Sequence, residues 1–187
     1  MPNKNFFGCL LAAHPKRSYD LLVNSVMLIF KHDRSGALGL QINKPFINGA
    51  SLNSVMENLG MDSTYVDDPL YIGGEQNHNR IYIVHTLDWF TSSTLKFNDD
   101  IGLSGDLSIL SALSAGQGPS QYRAIAGYNS WEPGELEKEI ISSKTDITLS
   151  WSQIPSTPEL IFEYDGLDQW KKITTEASKL QVSTWLA

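Results

Sequence analysis

The chain has 187 residues, 41% hydrophobic and 19% charged, which is typical of one globular domain with a substantial core. Its net charge of −7 argues against nonspecific attraction to DNA or anionic lipid, because both depend on clustered Lys and Arg. The single cysteine, Cys9, excludes an intrachain disulfide and a multi-thiolate metal site. No apolar run approaches the roughly 18 residues of a membrane span. We therefore expect a cytoplasmic protein with one domain over residues 1–187.

Short apolar runs predict strands in the first half of the chain. Residues 8–13 (GCLLAA) form the first run. Residues 25–33 (SVMLIFKHD) are apolar on both faces up to Phe30, as in a central strand that is covered on both sides. Residues 37–43 (ALGLQIN) then alternate in polarity, and the turn-forming DRSG before them predicts an antiparallel hairpin.

The middle of the chain contains a second predicted strand pair and a later strand. Residues 69–74 (PLYIGG) and 80–86 (RIYIVHT) are joined by the polar stretch EQNHN, and we predict that they pair with each other. Residues 122–128 (YRAIAGY) form the later strand.

Four segments show the spacing of apolar residues that is typical of helices. Two of them follow Ser51 and Asp106, which can cap a helix, and end before Gly60 and Gly116. A third has Pro133 in its first turn, where proline fits, and the fourth lies near the C-terminal end. Strands with hairpin-like links and interspersed helices predict an α+β fold.

The stretch GALGLQINKP, residues 36–45, superficially resembles a phosphate-binding loop. A P-loop needs glycine immediately before its lysine, whereas Asn43 precedes Lys44 here and Pro45 follows it. The bare GxxG of KH domains is too short to be specific, and here it leads into a strand. Gly39 leaves one face of that strand almost without side chain, which suits either close packing of a neighbouring segment or the floor of a ligand site.

No set of residues in the sequence specifies a reaction. The four histidines lack metal-binding spacing, and no G-x-S-x-G elbow is present. His85 continues an apolar strand face, which favours a hydrogen-bonded histidine at the edge of the core. Glu135 and Glu139 lie one helical turn apart and are best read as a solvated acidic helix face. We therefore predict no catalytic residue, no metal site and no cofactor.

Several motifs, taken in order, resemble the bacterial AlgH/YqgE family. They are GCLLAAHP, then VMLIFKHDRSGALGLQINKP, then YIGGEQNHNRIYIVHT, and finally GYNSWEPGELEKEI with a tryptophan at 151. The resemblance implies a compact α+β domain with a bent, mostly antiparallel or mixed sheet, partly closed like a barrel and flanked by helices. Some members are called transcriptional regulators. The resemblance implies no established mechanism or cofactor.

Two positions depart from the family pattern. Gly73 and Gly74 are followed by Glu75, where the family commonly has proline, and Glu135 stands where glutamine is usual. Both changes make the shared surface more acidic.

Our main hypothesis is a non-enzymatic regulatory or interaction protein that binds a protein or small-molecule partner at strand ends and turns. In this hypothesis Lys44 supplies a charge, Asn43 a bidentate amide and Trp131 an apolar face. The predicted binding residues are Asn43, Lys44, Pro45, Gly73, Gly74, His85, Tyr128 and Trp131.

The alternative is an enzyme acting on a small anionic substrate, with His85 as acid–base and Lys44 holding the anion. A cleft that joins these two side chains would favour the alternative, whereas a buried His85 with backbone partners would remove it. Direct DNA binding is disfavoured by the charge of −7 and the lack of a basic recognition helix.

Overall fold

The computed structural model describes residues 5–14, 22–141 and 151–185, and the side chains of residues 141 and 181–185 lie outside that description. The described strands are β1 (Cys9–Ala13), β2 (Val26–Asp33), β3 (Gly36–Gln41), β4 (Leu70–Ile72), β5 (Gln76–Thr86), β6 (Leu95–Lys96), β7 (Ile101–Ser104), β8 (Tyr122–Trp131) and β9 (Trp151–Pro155). The described helices are α1 (Leu52–Asn58), α2 (Leu107–Ser114), α3 (Glu135–Ile141), α4 (Pro158–Phe162) and α5 (Gly166–Trp185).

The strands form one mixed sheet, in the order β6-β7-β5-β8-β3-β2-β1-β9, and β4 adds to β8 outside this path. The sheet is a mostly antiparallel half-barrel flanked by helices, so the predicted α+β fold is confirmed.

The predicted hairpin of β2 and β3 is confirmed. The two strands run antiparallel, with Leu28 opposite Leu40, and a β-bulge interrupts their register between Ile29 and Lys31. The first four residues of β2, Val26 to Ile29, are fully buried, as expected for a strand covered on both faces. β1 pairs with the other edge of β2 and also with β9, a strand for which the sequence carries no clear signal.

The predicted pairing of residues 69–74 with residues 80–86 is wrong. β4 runs parallel to β8 with Tyr71 opposite Ile125, whereas β5 runs antiparallel to β8 with Tyr82 opposite the same residue. β8 therefore lies between the two strands. The polar stretch between them does not turn back as a hairpin, because β5 already begins at Gln76 and continues through a break in register to Ile81.

The helix caps follow the sequence prediction closely. The Ser51 side chain accepts a hydrogen bond from Ser54 N, and the Asp106 carboxylate accepts one from Ser108 N. α3 begins at Glu135, two residues later than predicted, because Pro133 and Gly134 form the preceding turn.

Helices cover parts of both faces of the sheet. α1 and α2 bury Met56 and Leu110 against one face of β5 and β8. On the other face Ile161 of α4 and Ile173 of α5 join the largest cluster of buried residues. The described helices do not cover the start of β5 or the β4 side of the sheet. Predicted site residues reach the surface in these two regions.

Candidate functional site

Asn43 is interior, not a surface amide, so its predicted exposure is wrong. Only 1% of the residue is exposed. Its carbonyl oxygen accepts a hydrogen bond from Val26 N at 2.9 Å, and its amide nitrogen donates to Asn24 O and Gly166 O, both at 2.9 Å. β3 ends at Gln41, just before Asn43, so the Asn43 side chain is free of the strand alternation and turns inward. There it joins the start of β2 to the start of α5. Its polar atoms are used within the chain.

Lys44 and Pro45 lie beside β4 and reach the surface. The backbone oxygen of Lys44 accepts a hydrogen bond from Ile72 N at 2.8 Å, and Pro45 forms an isolated bridge with Tyr71. Lys44 is half-buried and Pro45 is exposed. These two residues lie at the β4 edge of the sheet.

Gly73 and Gly74 allow the chain to pass directly against β8. A Cβ on Gly73 would lie 2.1 Å from Gly127 O, and one on Gly74 would lie 2.3 Å from the carbonyl carbon of Tyr128. Gly73 N also donates to Ala126 O at 2.8 Å. Glycine is required here for close backbone approach.

Trp131 is also buried, so the prediction of an exposed apolar face is wrong. It is 6% exposed and its ring meets Trp151 edge-on at 6.4 Å between centroids. The two indole nitrogens donate to the two oxygens of Glu139, at 3.3 Å from Trp131 and 2.7 Å from Trp151. A Cβ on Gly39 would lie 3.0 Å from the Trp131 ring, which means that the bare strand face is filled by packing. Glu139 is thus an acceptor for two indoles and not part of a solvated face.

His85 is fully buried and satisfied by hydrogen bonds. Nδ1 lies 2.9 Å from Thr86 O and Nε2 lies 3.0 Å from Ser104 Oγ. Since a carbonyl only accepts, Nδ1 carries the proton and Nε2 accepts from the serine hydroxyl. Burial lowers the pKa of His85, which keeps the ring neutral.

His85 and Lys44 are not brought together by the sheet. His85 lies on β5, opposite Tyr122 of β8, whereas Lys44 lies beside β4 on the far side of β8. Within the described residues, no group of three or more His, Cys, Asp or Glu side chains is arranged to hold a metal ion.

Tyr128 belongs to an aromatic cluster beside the start of β5. The Phe30, Tyr82 and Tyr128 rings lie 5.6–6.2 Å apart between centroids. Arg80 places its guanidinium 5.3 Å from the centre of the Tyr82 ring, a cation–π distance. Burial raises the pKa of the Tyr82 hydroxyl.

Two hollows adjoin at Arg80. The α1–α2 hollow has a volume of about 300 Å³ and lies between the two helices over β5, and its lining includes Val55, Leu59, Ile81, Ile83, Leu107 and Leu110. The aromatic hollow, of about 280 Å³, is lined by Phe30, Tyr82, Ser93, Leu95 and Leu103. Both also include Arg80, Gly105 and Asp106. The start of β5 therefore separates two largely apolar recesses that share one cation, Arg80, and one carboxylate, Asp106.

The charge of Arg80 has no partner among the described residues. Its side chain is exposed, and the contact described for it is the stacking on Tyr82. Lys172, in a third hollow of about 380 Å³ between β9 and α5, differs because it pairs with Glu159 at 3.0 Å and Glu176 at 3.6 Å. The sequence alone does not single out Arg80. The side chains around it are brought together only because β7 ends at Ser104 and the chain turns into α2.

Comparison with known proteins places most of the chain in one family. Residues 10–180 match the family model DUF179, described as AlgH-like. A UPF0301 protein of Sphingopyxis alaskensis is 31% identical over 173 residues, covering 92% of this chain and 89% of that one. A UPF0301 protein of Proteus mirabilis is 32% identical over 174 residues, covering 90% of this chain and 89% of its own.

Solved structures agree with this assignment. The solution structure of the AlgH protein from Pseudomonas aeruginosa superposes with a TM-score of 0.71 at 25% identity, covering 96% of this chain and 91% of that one. A crystal structure of a Corynebacterium diphtheriae protein, at 21% identity, gives the same TM-score over 92% of this chain and 87% of its own, and supports the fold alone. In the part of the chain that the structure describes, no helix is long and apolar enough to cross a membrane. By its family model, its relatives and its fold, the chain belongs to the AlgH-like family.

Proposed function

We propose that this protein is a non-enzymatic regulatory or interaction protein that binds a protein partner at the exposed start of β5. The observation that carries the proposal is the Arg80 guanidinium, which forms no ion pair within the described residues and lies between two largely apolar hollows. Interfaces combine apolar recesses with a small number of placed charges, and arginine is enriched among the residues that contribute most to binding. We place the contact here, and not at Asn43 and Trp131.

The burial of His85 supports a non-enzymatic role over the enzyme alternative. A general acid–base must reach a substrate within hydrogen-bond distance, but His85 is 0% exposed and both its ring nitrogens are engaged. Lys44, the proposed anion holder, lies on the far side of β8. The net charge of −7 favours a regulatory role through protein contact over direct binding to DNA.

The proposal can be tested by affinity capture with a charge-reversed variant. We expect Arg80→Glu to lose a partner that the wild type retains from the lysate of the source organism, because reversing a charge inside an interface is strongly unfavourable. Mass spectrometry identifies the partner, and its binding is then measured with purified components. We expect the dissociation constant to rise by about tenfold or more.

Arg34→Glu is the matched control, since Arg34 is an exposed arginine in the turn between β2 and β3. It makes the same change of charge away from the two hollows. Equal retention of every partner by wild type, Arg80→Glu and Arg34→Glu would contradict our placement of the contact.

A further inference from the structure

On the β7 side, the first residues of β5 pair with no other described strand. β7 pairs with β5 from Ile83 to Thr86 and ends at Ser104. The chain then leaves through Gly105 and Asp106 into α2, so the described part of the chain does not continue β7 alongside residues 76–80. These five residues are exposed. A strand that followed the line of β7 would meet the exposed start of β5.

The β8 side of β5 is also irregular here. Gln76 is opposite Tyr128, and the next matched residue of β5 is Ile81, opposite Ala126. Residues 77–80 thus have no register partner in β8, and Asn77 has a φ of 53°. This bulge distinguishes the start of β5 from the regularly paired remainder of the strand.

The two hollows lie on opposite faces of this strand. Ile81 and Ile83 point into the α1–α2 hollow, whereas Tyr82, between them in sequence, lines the aromatic hollow. Successive side chains of an added strand also point to opposite faces. An extended segment along this edge would therefore place alternate side chains in the two hollows.

The volumes favour a polypeptide over a small molecule. Ligand pockets are typically about 300–1,000 Å³ and enclose most of the ligand. The two hollows, at about 300 and 280 Å³, are at the lower limit and are open. Each hollow has room for an apolar side chain of a bound segment. The backbone of that segment would lie outside the hollow and hydrogen-bond to the exposed edge of β5.

We propose that an extended segment of a partner protein adds to the sheet at residues 77–80 of β5, in line with β7. Its apolar side chains occupy the two hollows alternately, and one Asp or Glu pairs with Arg80. The proposal rests on the proposed function, since it specifies how the partner binds at that surface. Asp106, the carboxylate in both linings, already accepts hydrogen bonds from Ser108 N and Ser93 Oγ. Arg80 is a cation without an ion pair among the described residues, and so it is the charge available to an acidic residue of the partner.

A displayed library of random peptides of about ten residues provides a defined probe, long enough to span the open edge. Selection on the wild-type protein is expected to enrich peptides with apolar residues at every second position and one acidic residue. The selected peptides, once purified, should bind the wild type and Arg34→Glu with equal affinity. They should bind Arg80→Glu about tenfold or more weakly.

Two exposed leucines test the hollows separately. Leu107 is 62% exposed in the α1–α2 hollow and Leu95 is 39% exposed beside the aromatic hollow. Leu107→Ser and Leu95→Ser should each weaken the selected peptides several-fold while the protein stays folded, because neither side chain is part of the core. N-methylation of alternate backbone amides in the peptide should abolish binding if those amides pair with β5.

The outcomes separate this inference from the proposed function. Enriched peptides with helical spacing that still require Arg80 would overturn strand addition and leave the proposed contact in place. Failure to enrich any peptide, or enrichment that is indifferent to Arg80→Glu, would also overturn strand addition. The proposed function would then depend on the capture experiment with Arg80→Glu alone.

Discussion

Asn43 shows how one buried amide can join three parts of the chain. Its three hydrogen bonds reach Val26, Asn24 and Gly166, which come from the start of β2, the residues before it and the start of α5. The asparagine of the QINKP motif therefore holds backbone from three segments together. A polar residue at a strand end could equally have faced solvent, and its sequence neighbours do not distinguish the two cases.

Replacing Asn43 should therefore destabilise the fold. We expect Asn43→Ala to lower the free energy of unfolding by about 2–4 kcal/mol, because it leaves one buried donor and two acceptors without partners. Urea unfolding measures the change. Asn48→Ala is the control, since Asn48 is exposed and its side chain accepts a hydrogen bond from Ala50 N of its own loop. A loss in Asn43→Ala no larger than in the control would contradict the structural role.

His85 should make stability depend on pH. Burial lowers its pKa in the folded state below the unfolded value of about 6.5. Below about pH 6.5 the unfolded chain therefore binds more protons, so this contribution to stability is complete above that pH and is lost as the pH falls through the folded pKa. His85→Gln should show a smaller loss of unfolding free energy than wild type between about pH 7.5 and about pH 5. Parallel pH profiles for the two proteins would count against this assignment.

At the scale of elements, β5 and β8 mark the limit of prediction from sequence. The β2–β3 hairpin and the caps of α1 and α2 were predictable because local turn and capping residues specify them. The partners of β4 and β5 were not, because an alternating pattern defines a strand and its buried face but not which strand lies beside it. The two-residue strand β6 and the four-residue β7 are too short for periodicity to reveal.

Because Gly73 packs directly against the backbone of β8, we expect a side chain at this position to clash severely. Gly73→Ala should lower the free energy of unfolding by about 3 kcal/mol or more, because the new methyl group would lie 2.1 Å from the backbone oxygen of Gly127. Gly49→Ala is the comparison: Gly49 has a φ of +74° but open space around it, so strain alone should cost about 1–2 kcal/mol. Thermal or urea unfolding can compare the pair, and equal losses would show that the close crossing is unimportant.

In the molecule as a whole, Arg123 connects the sheet to the C-terminal helices. This arginine on β8 is 6% exposed and donates to Ile42 O at 2.6 Å, Gln169 Oε1 at 2.9 Å and Tyr164 O at 2.9 Å. It also stacks on the Tyr71 ring at 4.5 Å. The sequence offered no signal for this role, because an arginine inside YRAIAGY normally faces solvent. The proposed contact was not predictable for the same reason: Lys44 and Pro45 lie at the β4 edge, and nothing in the sequence singled out Arg80.

Removing Arg123 should loosen the helices from the sheet. Arg123→Met should lower the free energy of unfolding by about 2–4 kcal/mol, because three acceptors lose their donor. Hydrogen exchange should show faster opening in α5 than in β2. The exposed Arg34→Met serves as the control, and uniform acceleration across both elements would argue against a specific link to α5.

The position of β8 also constrains the order in which the chain can fold during synthesis. β2 and β3 are neighbours in sequence and can pair as soon as both have left the ribosome, whereas β4 and the first part of β5 must wait for β8 to be made. The nascent chain therefore carries unpaired strands through the synthesis of α2. The β3 and β5 sides of the sheet can join only after the YRAIAGY segment has been made. Arrested translation before that segment would leave the Gly73–Gly74 turn without the backbone against which it packs.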